Sequence, residues 1–277
     1  MTWARKRHSR GVGLALMVAM GSASVAAFQL VSVQDEIAIG QKAQREVQQQ
    51  TPEVSDPVVR DYVRDLGGRL AGYASGEKYP YSFSTADYRE LNAFALPGGP
   101  VWIHRGILAS ATTEAQVAGV LAHEVAHISR RHAARQITKG TLANGLLGLL
   151  GAVLGDEGAG AAAAQVAAGV TANSFMLKFS RDDERDADRE GVAILARAGY
   201  DTRGLTEFMR VLAAQQGRSP GSVAQFMSTH PAPASRVRDL ERLVAANPGG
   251  PRRTSERFTQ VKRRLGQLPA PRAMPKR

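Results

Sequence analysis

A chain of 277 residues, 43% of them hydrophobic, is long enough for one or two domains with a sizeable core and too apolar to be disordered. It contains no cysteine, which excludes disulfides, thiolate metal ligands, a cysteine nucleophile and a lipoprotein's acylated cysteine. The formal charge of +11 belongs to the two ends: four bases within residues 5–10 and nine within 248–277 leave residues 28–247 with 23 bases and 24 acids, and no nucleic-acid-binding motif accompanies them.

The basic "MTWARKRHSR" followed by an apolar run with small residues Ser24, Ala26 and Ala27 has the layout of a secretory signal over residues 1–27, cleaved around 26 to 28. The run from Gly11 to Val33 is also long enough to remain as an anchor. On either reading the body is exported, to the periplasm if the source is bacterial. Two helices follow, over 34–50 and 56–73, the second capped by Asp56 with Pro57 at its first position. "YSFSTAD" and "LNAFALPGGPVWIH" read as short strands with a Pro-Gly-Gly turn in the latter. Thr113 and Gln116 have the spacing of a capping box for the next helix, and Glu114 suits its positive end.

Residues 139–178 are rich in Gly and Ala, in two apolar runs split by Asp156 and Glu157 and each too short to span a bilayer. Packed helices inside the domain are expected there, a surface dipping into a membrane being the alternative. Helices are expected over about 180–198, ending at Gly199, and over about 202–216. "NPGGPRR" then reads as a linker from the domain, residues 28–247, to a short basic helix and a proline-containing tail within 248–277. That tail is either solvated or in contact with anionic lipid headgroups.

The chemistry concentrates in "LAHEVAHISRRH", residues 121–132. On a helix His123 and His127 project about 40° apart and can share a zinc ion, with Glu124 beside them as a base for its water. A surface helix with incidental histidines carries the same letters, so a third ligand has to be found. His132 falls about 140° from His127 on a continuous helix, too far to serve. The three-histidine pattern also fails, because Arg130 and Ala133 stand at its last two places. In "SRDDERDADREGVAILARAG" helical phase puts Glu184 and Asp188 on one small, apolar face with Ala187, Gly191 and Leu195. Arg185, Asp186, Arg189, Glu190 and Arg197 fall opposite and are expected to be solvated. Two carboxylates on an inward face need cations: salt bridges would serve, or zinc for Glu184, with Asp188 orienting a ligand histidine or an arginine.

With these pieces in hand, the sequence resembles the zinc gluzincins that include HtpX, the mitochondrial Oma proteases and the CAAX prenyl proteases, most of all secreted bacterial members of the BepA and LoiP type. "LAHEVAHISRRHAAR" is similar to the family's metal helix, and "SRDDERDADREG" to the segment whose glutamate, here Glu184, is the third ligand. "NAFALPGG" resembles the strand that lines the cleft, and "STHPAPASR" a stretch placing His230 and Arg236 near the metal. The resemblance implies an α+β, predominantly helical zincin-like domain with a small sheet beside the histidine helix. Asn92, Ala93 and Phe94 would then offer a strand edge to a substrate peptide. It implies one zinc per chain on His123, His127 and Glu184, Glu124 as base, and His230 and Arg236 assisting the oxyanion or capping the metal. Relatives of the BepA type continue into helical repeats, so recruitment resting on those repeats does not carry over. The reading is an exported metalloendopeptidase acting on unfolded or misassembled envelope proteins. The alternative is a membrane-proximal assembly factor with a latent protease site.

Overall fold

Ser32 starts the first helix. Its hydroxyl accepts from the backbone N–H of Asp35 while Asp35 reaches back to Ser32, so α1 (Val33–Gln50) opens with a reciprocal cap. The computed structural model describes residues 31–140, 178–231 and 234–275. The expected signal or anchor over 1–27, and all but the margins of the apolar 139–178 segment, lie outside these. Among the described residues no helix is long and apolar enough to cross a membrane. The cap expected at Asp56 forms: its carboxylate accepts from the backbone N–H groups of Val58 and Val59, with Pro57 first in α2 (Pro57–Ala71).

Three short strands make one sheet in the order β1-β3-β2, from β1 (Ser82–Ala86), β2 (Ala93–Ala95) and β3 (Pro100–His104). β1 runs parallel to β3 and β2 antiparallel to it, pairing Phe94 with Trp102. The connecting turn needs Gly98: its φ is +71°, and a β-carbon there would sit 2.4 Å from Ile37 Cα. The turn is thereby seated on α1. β3 is central and buried along its whole length, leaving β1 and β2 as the edges.

His104 ends β3 and is 1% exposed, with Nδ1 3.2 Å from the Glu90 carbonyl and its ring packed by Tyr88 and Phe94. Burial lowers its pKa to about 4, against a smaller upward pull from Glu90. The folded chain therefore refuses a proton that the unfolded chain takes up near pH 6.5. The stability contributed by neutral His104 is complete above that pH and is lost as pH falls towards 4. Between pH 7 and 5 this amounts to about 2 kcal/mol. Urea midpoints across that range should fall more steeply for the native chain than for His104→Phe, and equal slopes would refute this.

After α3 (Arg105–Ser110) comes α4 (Glu114–Ser129), and all 16 residues of α4 are buried. The capping box expected at Thr113 does not form, since the Thr113 hydroxyl caps nothing. Gln116 instead turns back to accept from the Thr112 backbone N–H at 2.8 Å and donates to Glu207. Glu114 at the helix start is buried, held by the hydroxyls of Tyr200 and Ser255. At its other end α4 breaks: Arg131 adopts φ +57°, and residues 132–140 restart a helix in a new direction.

α5 (Arg181–Arg197) is opened by a second reciprocal cap between Ser180 and Asp183, and lies along α4. Gly191 permits the approach, because a β-carbon there would come within 3.3 Å of His123 Cα. Gly199, with φ +76°, ends the segment as expected. α6 (Arg203–Arg218), the short α7 (Ala224–Thr229) and α8 (Ala234–Ala246) complete the helices around α4 and α5.

The basic stretch from 248 onward does not behave as a solvated tail. α9 (Glu256–Gln267) buries Phe258, Val261 and Leu265 in the main core, against α2 and α3. Lys262 Nζ donates to the carbonyls of Leu108, Ala109 and Ala111, satisfying the end of α3. Arg105, 4% exposed, donates to the carbonyls of Leu265 and Pro269 and to Asp87. Residues 272–274 then bond to Asp87, Arg89 and Glu90.

Candidate metal centre

His123 and His127 stand one turn apart on α4, and their Nε2 atoms face each other at 3.1 Å. From α5 Glu184 brings Oε2 to 3.5 Å from His123 Nε2 and Oε1 to 3.5 Å from His127 Nε2. Four donors in a tetrahedron about 2.0–2.1 Å from a common centre lie about 3.4 Å apart, so the two Nε2 atoms and the Glu184 carboxylate converge at about the separations of a zinc ligand set. His230 joins them from the end of α7, its Nδ1 2.9 Å from Glu184 Oε1, and all four side chains offer donors within 4.8 Å of one another. The four residues are at most 2% exposed. Two imidazoles and a carboxylate converging in a buried space fit a borderline-soft divalent cation.

Glu124, 0% exposed, has no hydrogen-bond partner for either carboxylate oxygen among the described residues; His230 Nε2 lies 3.6 Å from one of them. A buried carboxylate without a partner is costly.

The expected neighbours gather around this group. Asp188 faces His123 Nδ1 at 3.1 Å and receives Nε and Nη2 of Arg236 at 2.7 and 2.8 Å. Arg236 also contacts Glu184 Oε2 and lies 3.3 Å from His123 Nε2. Burial opposes charge on His123, but Asp188 and Glu184 outweigh it and lift its pKa to about 9. Burial holds His127 neutral, well below its ordinary value. Burial would raise Asp188, but Arg236 and His123 bring it down to about 2, and His230 and Arg236 likewise hold Glu184 well below the carboxylate range. A cation entering here displaces a proton from His123.

Asn92, Ala93 and Phe94 occupy and flank the edge strand β2, which packs beside α4. Asn92 is buried with both side-chain polar atoms unpartnered among the described residues, and Phe94 stacks on Trp102 at 6.3 Å. No hydrogen bond among the described residues joins these three to the histidine group.

Three residues were misplaced by helical phase. Glu190, expected to be solvated, is 12% exposed at its side chain and accepts from the Ser75 backbone N–H and from Arg197. Asp186, expected to be solvated, is 17% exposed at its side chain and meets Arg130, His132 and Arg135. His132, set aside as too far around the helix, is 0% exposed with Nδ1 2.8 Å from His127 Nδ1. The break at Arg131 swings it back. Phe179, also unforeseen, stacks on the His127 ring at 3.9 Å.

The sequence profile of peptidase family M48 matches residues 57–244, well over half of the chain. The chain belongs to peptidase family M48. The matched region of this M48 chain holds every residue of the buried group, while α1 and α9 lie outside it. It is 32% identical over 213 residues to the beta-barrel assembly-enhancing protease of Escherichia coli (strain K12), covering 76% of this chain and 44% of that protein. Similarity to the beta-barrel assembly-enhancing protease of Yersinia pestis is 29% over 239 residues, 85% of this chain and 49% of that protein. The mitochondrial metalloendopeptidase OMA1 of Schizosaccharomyces pombe is 33% identical over 150 residues, 54% of this chain and 42% of that protein. The M48 chain thus spans less than half the length of these curated relatives.

Proposed function

We propose that this M48 chain is an exported, zinc-dependent metalloendopeptidase, with one zinc held by His123, His127 and Glu184. The observation that carries the reading is the convergence of two buried imidazoles and a buried carboxylate beside an unpartnered glutamate. When bound, zinc supplies a Lewis acid that polarises a carbonyl and lowers the pKa of water towards about 7. Glu124 accepts the proton of the attacking water and passes it to the leaving amine. Asp188 orients His123 and neutralises Arg236, while His230 and Arg236 are the cationic or donor groups available to a developing oxyanion. The free edge of β2, with Asn92, Ala93 and Phe94, is where a substrate peptide would add as a strand.

The relatives' names and the basic-then-apolar N-terminus support an envelope location, with unfolded or misassembled outer-membrane proteins as substrates. Membrane contact through the 139–178 segment remains part of this proposal.

A second reading is favoured by one observation. His230 bonds Glu184 directly, and the whole group is covered in this arrangement. The site would then be latent while His230 holds Glu184, and the chain would act chiefly as an assembly factor.

Zinc content and casein cleavage, measured on the same preparation, test the proposal. One equivalent of zinc, with cleavage abolished by a chelator and restored by zinc, is the expected result. Zinc without cleavage favours the latent reading, and a chain that binds no zinc refutes both.

A further inference from the structure

His132 is too far from the other donors to be a ligand, yet it is one of the most deeply buried histidines described. Its Nδ1 lies 2.8 Å from Nδ1 of His127, and its Nε2 lies 3.2 Å from Asp186 Oδ2. Two ring nitrogens at that distance form a hydrogen bond only if one carries a proton and the other does not. Asp186 settles which. Its carboxylate faces the guanidinium groups of Arg130 and Arg135 and is an acceptor, so the proton between it and His132 is on His132 Nε2. Neutral His132 then has a bare Nδ1, and the proton between the two rings belongs to His127 Nδ1. That leaves His127 Nε2 as a free lone pair, turned towards His123 and Glu184.

We propose that His132, backed by Asp186, is a positioning residue that fixes His127 in the tautomer and ring orientation able to hold the metal. The inference rests on the zinc reading of the site. His123 has a carboxylate, Asp188, directly against its Nδ1. Asp186 lies two residues along α5 from both Glu184 and Asp188, about 200° around the helix from each. It cannot reach the metal side itself, and the imidazole of His132 spans the gap. The left-handed turn at Arg131 delivers that imidazole, and Phe179 stacked on His127 closes the ring's other degree of freedom. One helix, α5, thus supplies a ligand and the outer support of both ligand histidines.

The test uses the full chain labelled with ¹⁵N-histidine, first free of metal. His127 protonated on Nδ1, with a scalar coupling through the hydrogen bond to His132 Nδ1, is expected; His127 protonated on Nε2 alone would overturn the proposal. Zinc affinity is then measured by chelator competition. His132→Leu should bind zinc about 10–100-fold more weakly than the native chain. His132→Asn, whose amide oxygen can replace the Nδ1 acceptor, should recover most of the loss. Asp186→Ala should weaken binding in the same direction. Thermal midpoints of the metal-free variants report any loss of folding separately, and the labelled native chain needs no variant at all. Unchanged affinity in His132→Leu overturns the relay alone. Failure of the native chain to bind zinc overturns the metal reading, whatever the ring tautomers show.

Discussion

Replacing Glu124 with glutamine should leave zinc bound and lower kcat for peptide hydrolysis by about 10²–10⁴-fold. Glutamine keeps the size of the side chain but cannot take a proton from water. The ligands on either side of it are untouched, so the histidine pair and Glu184 retain their spacing of 3.1 and 3.5 Å. KM should move little if Glu124 acts, as proposed, in proton transfer and not in holding the peptide. Metal analysis beside steady-state kinetics on a fluorogenic peptide decides the matter. A variant that retains near-native kcat would show that the base is elsewhere, and one that loses zinc would show that Glu124 organises the site instead of acting in the reaction.

The second large effect concerns Arg236, which is 4% exposed and bridges Asp188 and Glu184. Arg236→Met removes the cation shared by two buried carboxylates and leaves both charged groups poorly compensated. Breaking one side of such an arrangement costs about 3–5 kcal/mol, far more than the pair contributes relative to a hydrocarbon. The metal-free variant should therefore unfold at clearly lower urea than the metal-free native chain. Zinc offers Glu184 another cation, so added zinc should recover part of the loss by binding the folded form alone. Arg236→Lys should fall between them, because a point charge cannot engage Asp188 through two nitrogens and Glu184 through a third. Equal denaturation midpoints for native and Arg236→Met chains without metal would show that the carboxylates are compensated by other groups.

Helical phase served the sequence reading well for the inward face of the unbroken α5. The face carrying Glu184, Ala187, Asp188, Gly191 and Leu195 is buried as a unit, because period and small side chains are local properties of one segment. The same arithmetic misplaced His132, since it assumed that α4 ran on through Arg131. A left-handed arginine has no compositional signature; glycine or asparagine would have raised suspicion. Asp186 was misjudged as a consequence, its partner being a residue that the phase had turned away. Gln116 was assigned to a cap by spacing alone, but Glu207, 91 residues onward, offered its amide a better position. The basic C-terminal stretch was the largest difference. Charge reads as solvation unless acceptors are known, and those of Lys262 are carbonyls more than 150 residues earlier in the chain.

Those distant contacts bear on the order in which the fold is completed. α9 completes the core beneath α2 and α3, and Arg105 at the start of α3 finds its carbonyl acceptors only in residues 265–269. Contacts of such sequence separation form late in folding, because the loop they close must first be brought together. A chain emerging stepwise would display the histidine helix long before its surroundings were finished. The surroundings of the histidine helix are then complete only once residues 256–269 have docked on α2 and α3.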